Sequence, residues 1–494
     1  MCNNIHTMKR IDDKNLISFK QLPQDELHNG QVYAPLVEAL RHYQASPCTG
    51  FHIPGHNRGE GMLPSFVNVV GHQALSLDTT DEFDNLGTLF PSTGAIGEAQ
   101  RLAAKAFGAK RTFFLTGGST IANLALAFGL TKPTDKIVIG RNCHRSVLSG
   151  MMISGANPSW LMPKKLEDWA IYGAIQPQEL RKQLEENPDT SLVWVTNPTY
   201  EGVVSDIEAI SSVCHEYDVP LIVDEAHGCL WNFSEALPKS ALRCGADAVV
   251  HSLHKTGGSM TQSSMLHIGE NSRFDIQKVE HALKLLHTTS PSILLLTSLD
   301  AARANLSSTT GQLAVENAIN NALYFREYAS KINGVRVLNP VGDFKVDITK
   351  IFVKVDGLSG KRLESILELD FNIEIESASD EGILILSNVG GKKEEFDILL
   401  NALKTIAKSN YMDLAYLEGI KFMPLTRPNV VMTPRDAYFA NKERVNKKDA
   451  IGRVCAEVIA LCPPGISVLL PGEVIADEHM PYLSDYSEID VLAE

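Results

Sequence analysis

Between about residues 100 and 270 the chain alternates short, unbroken apolar runs with amphipathic ones, and the apolar runs stop on polar clusters. Residues 112–116 (TFFLT) lead into Gly117-Gly118-Ser119-Thr120 and then into a helical pattern over 121–130. Residues 137–139 end in Arg141-Asn142-Cys143-His144, 192–196 in NPTYEG, 221–223 in DEAHG and 248–250 in HSLHK; 208–217 reads as a helix. Strands with no polar face, alternating with helices, predict a mostly parallel sheet covered on both sides. Such sheets bind ligands just beyond the carboxyl ends of their strands. Five polar clusters therefore meet along one edge of one sheet.

A chain of 494 residues exceeds what one hydrophobic core supports, so several domains are expected. We read 1–45 as an N-terminal segment, 46–310 as the large domain carrying the clusters, 311–420 as a smaller α+β domain and 421–494 as a C-terminal domain. The small domain should contain a helix over 313–331, strands at 351–355, 373–376 and 383–386, and helices at 363–369 and 396–409. A net charge of −14 repels phosphate backbones and argues against nucleic acid, while suiting a cationic ligand. The eight cysteines form no C-x-x-C pair, which argues against zinc and thioredoxin-like sites and for reduced thiols in a cytoplasmic protein. The most apolar run, ILLLTSL (293–299), is too short to span a bilayer, and the N-terminus lacks a signal-peptide pattern.

The clusters contain specific chemistry. Gly117 and Gly118 let backbone approach a ligand, the following helix offers free N–H groups at its positive end, and Ser119 and Thr120 add hydroxyls. The set suits a phosphate, and equally an ordinary helix cap. Asp224 closes a buried strand, where a carboxylate is costly unless paired. A protonated ring nitrogen is one such partner; a helix cap or a metal ion is another. Lys255 stands in Ser252-Leu253-His254-Lys255-Thr256-Gly257-Gly258. A desolvated lysine amine near an aldehyde forms a Schiff base, although most lysines are solvated surface groups. Ser252 and His254 share that edge and can bind the phosphate. His144 is able to stack on a ring or to be a plain loop histidine, and His227 carries the same ambiguity. Phosphate cradle, buried aspartate and lysine, in that chain order, form a more specific pattern than any one of them.

These segments resemble the aspartate-aminotransferase superfamily of pyridoxal-phosphate (PLP) enzymes, fold type I. Within it the chain resembles the bacterial ornithine/lysine/arginine decarboxylases in their short form. The likeness covers nearly the whole chain: FHIPGHNRG (51–59), EAQRLAAKAFGAKRTFFLTGGST (98–120), NPTYEG (197–202), VDEAHG (223–228), HSLHKTGGSMTQSSML (251–266), MTPRDAYFANKE (432–443) and PPGISVLLPGE (463–473). It implies that Lys255 forms the Schiff base with the cofactor and that Asp224 pairs with the pyridine nitrogen. It implies that His144 stacks on the ring and that Ser119, Thr120, Ser252 and His254 hold the phosphate. Ala226 and His227 would line the other ring face and the 3-hydroxyl side. Lys255, His254, Asp224 and His144 would be the catalytic set, with no metal. In a homodimer, residues 288–290 would reach the neighbouring cofactor. Glu473 would meet the distal cation of the substrate.

The implied reaction is decarboxylation of a basic L-amino acid: arginine to agmatine first, then lysine to cadaverine or ornithine to putrescine. Lys255 or His254 would return the proton to Cα. Asp436 and Asp84 are further candidate anions, with surface solvation the plainer reading of both. The competing classes are another PLP reaction (aminotransferase, eliminase or oxidase) and a non-catalytic relative. Asn57, Cys462, Ser467 and the stretch 78–94 depart from the usual family wording, which bears on substrate choice more than on cofactor binding.

Overall fold

Unbroken apolar runs need cover on both faces, and the computed structural model supplies it. It describes residues 30–45, 49–81, 83, 85–341, 344–409, 411, 427–461, 465–483 and 486–493. Seven strands form the central sheet: β1 (Arg111–Leu115), β2 (Lys136–Gly140), β3 (Asn157–Leu161), β4 (Thr190–Thr196), β5 (Leu221–Asp224), β6 (Ala248–His251) and β7 (Ser264–Ile268). Their order is β1-β7-β6-β5-β4-β2-β3. The pairs β6–β5, β5–β4, β4–β2 and β2–β3 are parallel, while β7 runs antiparallel to both β1 and β6. Strands β1 to β6 thus point the same way, and only β7 opposes them. The mostly parallel α/β sheet of PLP fold type I is what the sequence led us to expect.

Alternate side chains of one strand enter different cores. In β4, Leu192 and Trp194 pack on one face, with Ala122 and Leu126 of α3 (Gly118–Leu130) and Val147 and Met151 of α4 (Arg145–Ser154). Val193 and Val195 pack on the other, with Ile207, Ile210 and Val213 of α5 (Ile207–Glu216). Both faces being dry, a polar residue is tolerated only at a strand end, which is where the clusters sit.

Two strands escape the sequence pattern. β3 is an edge strand with Pro158 inside it and only Trp160 and Leu161 buried. β7 carries Ser264 and His267 among its apolar residues.

After α9 (Thr309–Ala329), a second sheet of β8 (Val335–Val337), β9 (Lys350–Val355), β10 (Ser377–Ala378) and β11 (Ile383–Leu386) is antiparallel, in the order β8-β9-β11-β10. It packs with α9, α10 (Gly360–Phe371) and α11 (Lys393–Lys408) into its own core. Residues 373–376, expected as a strand, are irregular and lead into β10. The C-terminal part pairs Lys442–Asn446 with Glu488–Leu492, and Ile459–Leu461 with Ile466–Leu469. It is tied to the large sheet: Leu470 joins the core there, and Arg145 N donates to Gly465 O at 2.9 Å. Among the described residues no helix is long and apolar enough to cross a membrane, and no group of His, Cys, Asp and Glu has metal-site geometry.

Candidate active site

The carboxyl ends of β1, β2, β4, β5 and β6 open into one cavity of about 910 Å³. Ser119, Thr120, His144, Asp224, Ala226, His227, Ser252, His254 and Lys255 all line it. The structure therefore brings together all nine residues expected to bind the cofactor, while Glu473, Asp436 and residues 288–290 are not among the lining. The small domain closes the cavity with Ala378–Glu381. The C-terminal part adds Ala460, Ile466 and Tyr482.

At the end of β1, Gly118 adopts a φ of 66°, a region that side chains disfavour, and so turns the strand directly into α3. The free N–H groups and positive end of α3 thereby face the cavity edge. Ser119 Oγ and Ser252 Oγ converge to 2.6 Å from different strand ends. Two hydroxyls and a helix end form an anion cradle of phosphate size.

Asp224 is 3 % exposed. Its Oδ2 accepts from Asn123 Nδ2 at 3.0 Å and its Oδ1 from Ala226 N at 3.2 Å. Asn123 Nδ2 also donates to Ser146 Oγ at 2.9 Å, and that hydroxyl lies 2.7 Å from His144 Nδ1. Ser146 N donates to the same Nδ1 at 3.2 Å, so His144 caps α4 and keeps its ring proton on Nε2. Burial pushes His144 below the ordinary histidine range, although Asp224 opposes it, and the ring stays neutral.

Lys255 follows β6 on a single helical turn, Leu253–Thr256, and is half-buried. Burial lowers the pKa of its amine, against the pull of Asp224 and Glu376. Its Nζ lies 2.9 Å from His227 Nε2. His254 donates from Nδ1 to Ser263 O at 2.7 Å, and burial lowers its pKa, so neutral His254 presents a bare Nε2.

Thr196 Oγ1 and Asn142 Oδ1 also line the cavity, buried and without hydrogen-bond partners among the described residues. A cavity with an anion cradle, a buried carboxylate, a desolvated amine and unmatched polar atoms fits a phosphorylated aromatic aldehyde.

Glu473 stands elsewhere. It is 2 % exposed and is not among the cavity's lining residues. Its carboxylate accepts both Arg141 nitrogens, at 2.7 and 2.8 Å, and Leu470 N at 3.0 Å. Arg141 in turn covers the Trp160 ring at 4.5 Å and donates to Val468 O. The pair fastens the C-terminal part to β2. Arg141→Ala strands a buried carboxylate and is expected to cost about 3–5 kcal/mol in urea unfolding; replacing both partners with Met should cost far less. Equal losses in the two variants would contradict this role. Thr433 caps Pro434–Phe439, accepting from Asp436 N and donating to Asp436 Oδ2; Asp436 is exposed, outside the cavity. Asp84 and Cys462 lie outside the described residues.

Sequence reasoning missed four cavity or near-cavity groups. Glu201, Asp380 and Glu381 line the cavity. Glu201 lay in the NPTYEG motif, the one signal available. Lys350 of β9, 1 % exposed, reaches His227 from the small domain.

Fold and cavity define an α/β protein whose sheet edge carries a desolvated lysine amine and a buried carboxylate in one cavity. The chain belongs to the Orn/Lys/Arg decarboxylase family: the family's major domain matches residues 34–359 and its C-terminal domain 418–491. The arginine decarboxylase of Bacillus subtilis (strain 168) is 38% identical over 461 residues, covering 92% of this chain and 93% of that protein. That of Halalkalibacterium halodurans is 37% identical, over 92% and 94% respectively. Among solved structures, the Francisella novicida lysine decarboxylase superposes with a TM-score of 0.82 at 22% identity, over 95% of this chain and 83% of that one. That likeness concerns the fold.

Proposed function

We propose that this chain is a PLP-dependent decarboxylase that prefers L-arginine and releases agmatine. The observation that carries the reading is the convergence of Lys255, Asp224 and the 117–120 turn on one cavity. The arginine preference rests on arginine decarboxylases at 37–38% identity along most of the chain. When bound, PLP supplies an aldehyde for an amine and a cationic ring that accepts the electrons freed as the Cα–carboxylate bond breaks.

Ser119, Thr120, Ser252 and the α3 N-terminus would hold the phosphate. His254 joins them when its Nε2 takes a proton, which a phosphate dianion favours. Asp224, aimed by Asn123 and the Ala226 N–H, would keep the ring nitrogen protonated. His144 would stack on one ring face, with Ala226 and His227 on the other side. Lys255, as a bare amine, would join the aldehyde. Once free and protonated it is also the better donor to Cα, because both ring nitrogens of His254 are then engaged, Nδ1 with Ser263 O and Nε2 with the phosphate.

Glu201 and Glu381 are the anions offered to a guanidinium. Burial raises the pKa of both carboxyls, and neither forms an ion pair among the described residues. A cation reverses that penalty, and a planar guanidinium can engage a carboxylate through two hydrogen bonds. Exposed apolar residues at Phe51, Ile53, Leu63, Phe66 and Val69 support self-association as a homodimer, with exposed 288–290 available to a partner's cavity. Five free cysteines among the described residues fit a reducing compartment such as the cytoplasm.

The test supplies L-arginine, L-lysine and L-ornithine separately to PLP-loaded protein and follows the amine released. Agmatine should form with a kcat/KM at least about tenfold above that of either other product, equivalent to about 1.4 kcal/mol of discrimination. Cadaverine or putrescine as the faster product reassigns the substrate, and no amine from any of the three removes the decarboxylase.

A further inference from the structure

His227 is held between two lysines that come from different domains. Its Nε2 lies 2.9 Å from Lys255 Nζ and its Nδ1 lies 2.9 Å from Lys350 Nζ. Lys350 opens β9, and its Nζ sits 5.1 Å from the centre of the Tyr200 ring. Asp347, the carboxylate that acts most strongly on Lys350, instead accepts from Trp231 Nε1 and Thr349 N, each at 2.9 Å. Among the described residues, the hydrogen bond of the Lys350 amine is to His227.

Proton counting restricts this row. An ammonium only donates, whereas a neutral imidazole donates from one nitrogen and accepts at the other. Burial holds His227 well below its ordinary range, with Lys255 and Lys350 adding to the effect, so its ring is neutral. A neutral ring between two amines needs a bare amine beside its N–H, while the other amine donates to its bare nitrogen; the Tyr200 ring facing Lys350 Nζ favours the charged form at that end.

We propose that Lys350 is the charged end of the row: a positioning residue that donates to His227 Nδ1, fixes the Nε2–H towards the cavity, and so keeps Lys255 Nζ bare. This rests on Lys255 being the reacting amine, as argued above. A proton leaving Lys255 Nζ enters at His227 Nε2 while the Nδ1 proton passes to Lys350 Nζ. One charge moves from one amine to the other, and nothing is oxidised or reduced.

Burial, the largest influence, pushes Lys350 down to about 7, so it exchanges its proton in the neutral range. The other charged or titratable groups facing the row are Asp224 and Glu376 at Lys255, His254, His144 and Tyr200 at His227, and Asp347, Glu376, Glu201 and Tyr200 at Lys350. None of them is hydrogen-bonded to either nitrogen of His227.

Two measurements test the assignment. The first is the pH titration of the coloured Lys255 linkage in PLP-loaded wild type, Lys350→Met and Lys350→Gln. Loss of the Lys350 charge and release of the His227 tautomer should raise the midpoint by about one pH unit or more, a tenfold change in proton affinity. A purely structural lysine would change the thermal transition and leave the midpoint in place; an unmoved midpoint in a folded variant overturns the proposal. The second needs no variant fold. Nitrogen-15 spectra of histidine-labelled wild type, as purified, should show His227 protonated at Nε2 and bare at Nδ1. The reverse tautomer overturns the proposal even if no variant folds. The tautomer is read without turnover, so failure of the arginine reaction leaves it intact, and a working decarboxylase with the reverse tautomer sinks this inference alone.

Discussion

Lys255→Ala is expected to lower kcat/KM for the preferred amino acid by more than about 10⁴-fold, the scale on which a covalent residue of a concerted set is lost. Desolvation makes the wild-type amine available as a nucleophile, and alanine has nothing to put in its place. The yellow colour of the linked cofactor should vanish with it. Stability should not fall in parallel. Removing a buried amine removes a desolvation penalty, and His227 keeps its bond to Lys350. Activity near the wild-type level, in a variant with a wild-type thermal transition, would move the chemistry away from Lys255.

Asp224→Asn is the second large effect, at about 10²–10³-fold in kcat/KM. An opposite charge beside a titrating nitrogen shifts its pKa by about 1–3 units, and each unit is tenfold in proton affinity. The neutral amide exerts no such attraction. It also meets two donors, Asn123 Nδ2 and Ala226 N, with only one acceptor oxygen. One buried donor is left unmatched, which adds about 1–3 kcal/mol of instability. Steady-state kinetics and urea unfolding check both halves. An Asp224→Asn variant as active as wild type would assign the carboxylate to holding α3 and β5 together.

The legible part of this molecule was the sheet edge. Five strand ends could be read because a buried strand tolerates polar residues only where it stops, and all five open into the cavity. The strands that escaped, β3 and β7, are those whose composition breaks the apolar rule: Pro158 at an edge, Ser264 and His267 within an antiparallel insert. The site is legible for the same reason as the sheet, since the nine expected residues that line it close or follow strands directly. What stays hidden depends on distant partners. Glu473 reads as a free carboxylate until Arg141, 332 positions away, is seen to occupy it. Lys350 looks like any strand lysine until the small domain folds over and sets it against His227, 123 positions earlier. Glu201 and Glu381 come to one cavity only once the two domains share it.

Two lysines flank His227, and the function depends on which of them holds the cofactor. Borohydride reduction of PLP-loaded protein, followed by peptide mass spectrometry, answers this directly. The phosphopyridoxyl mass should appear on the peptide carrying Lys255 and be absent from Lys255→Ala. An adduct on Lys350 or another lysine, or no adduct on any peptide, would contradict the assignment of the cavity and the function built on it.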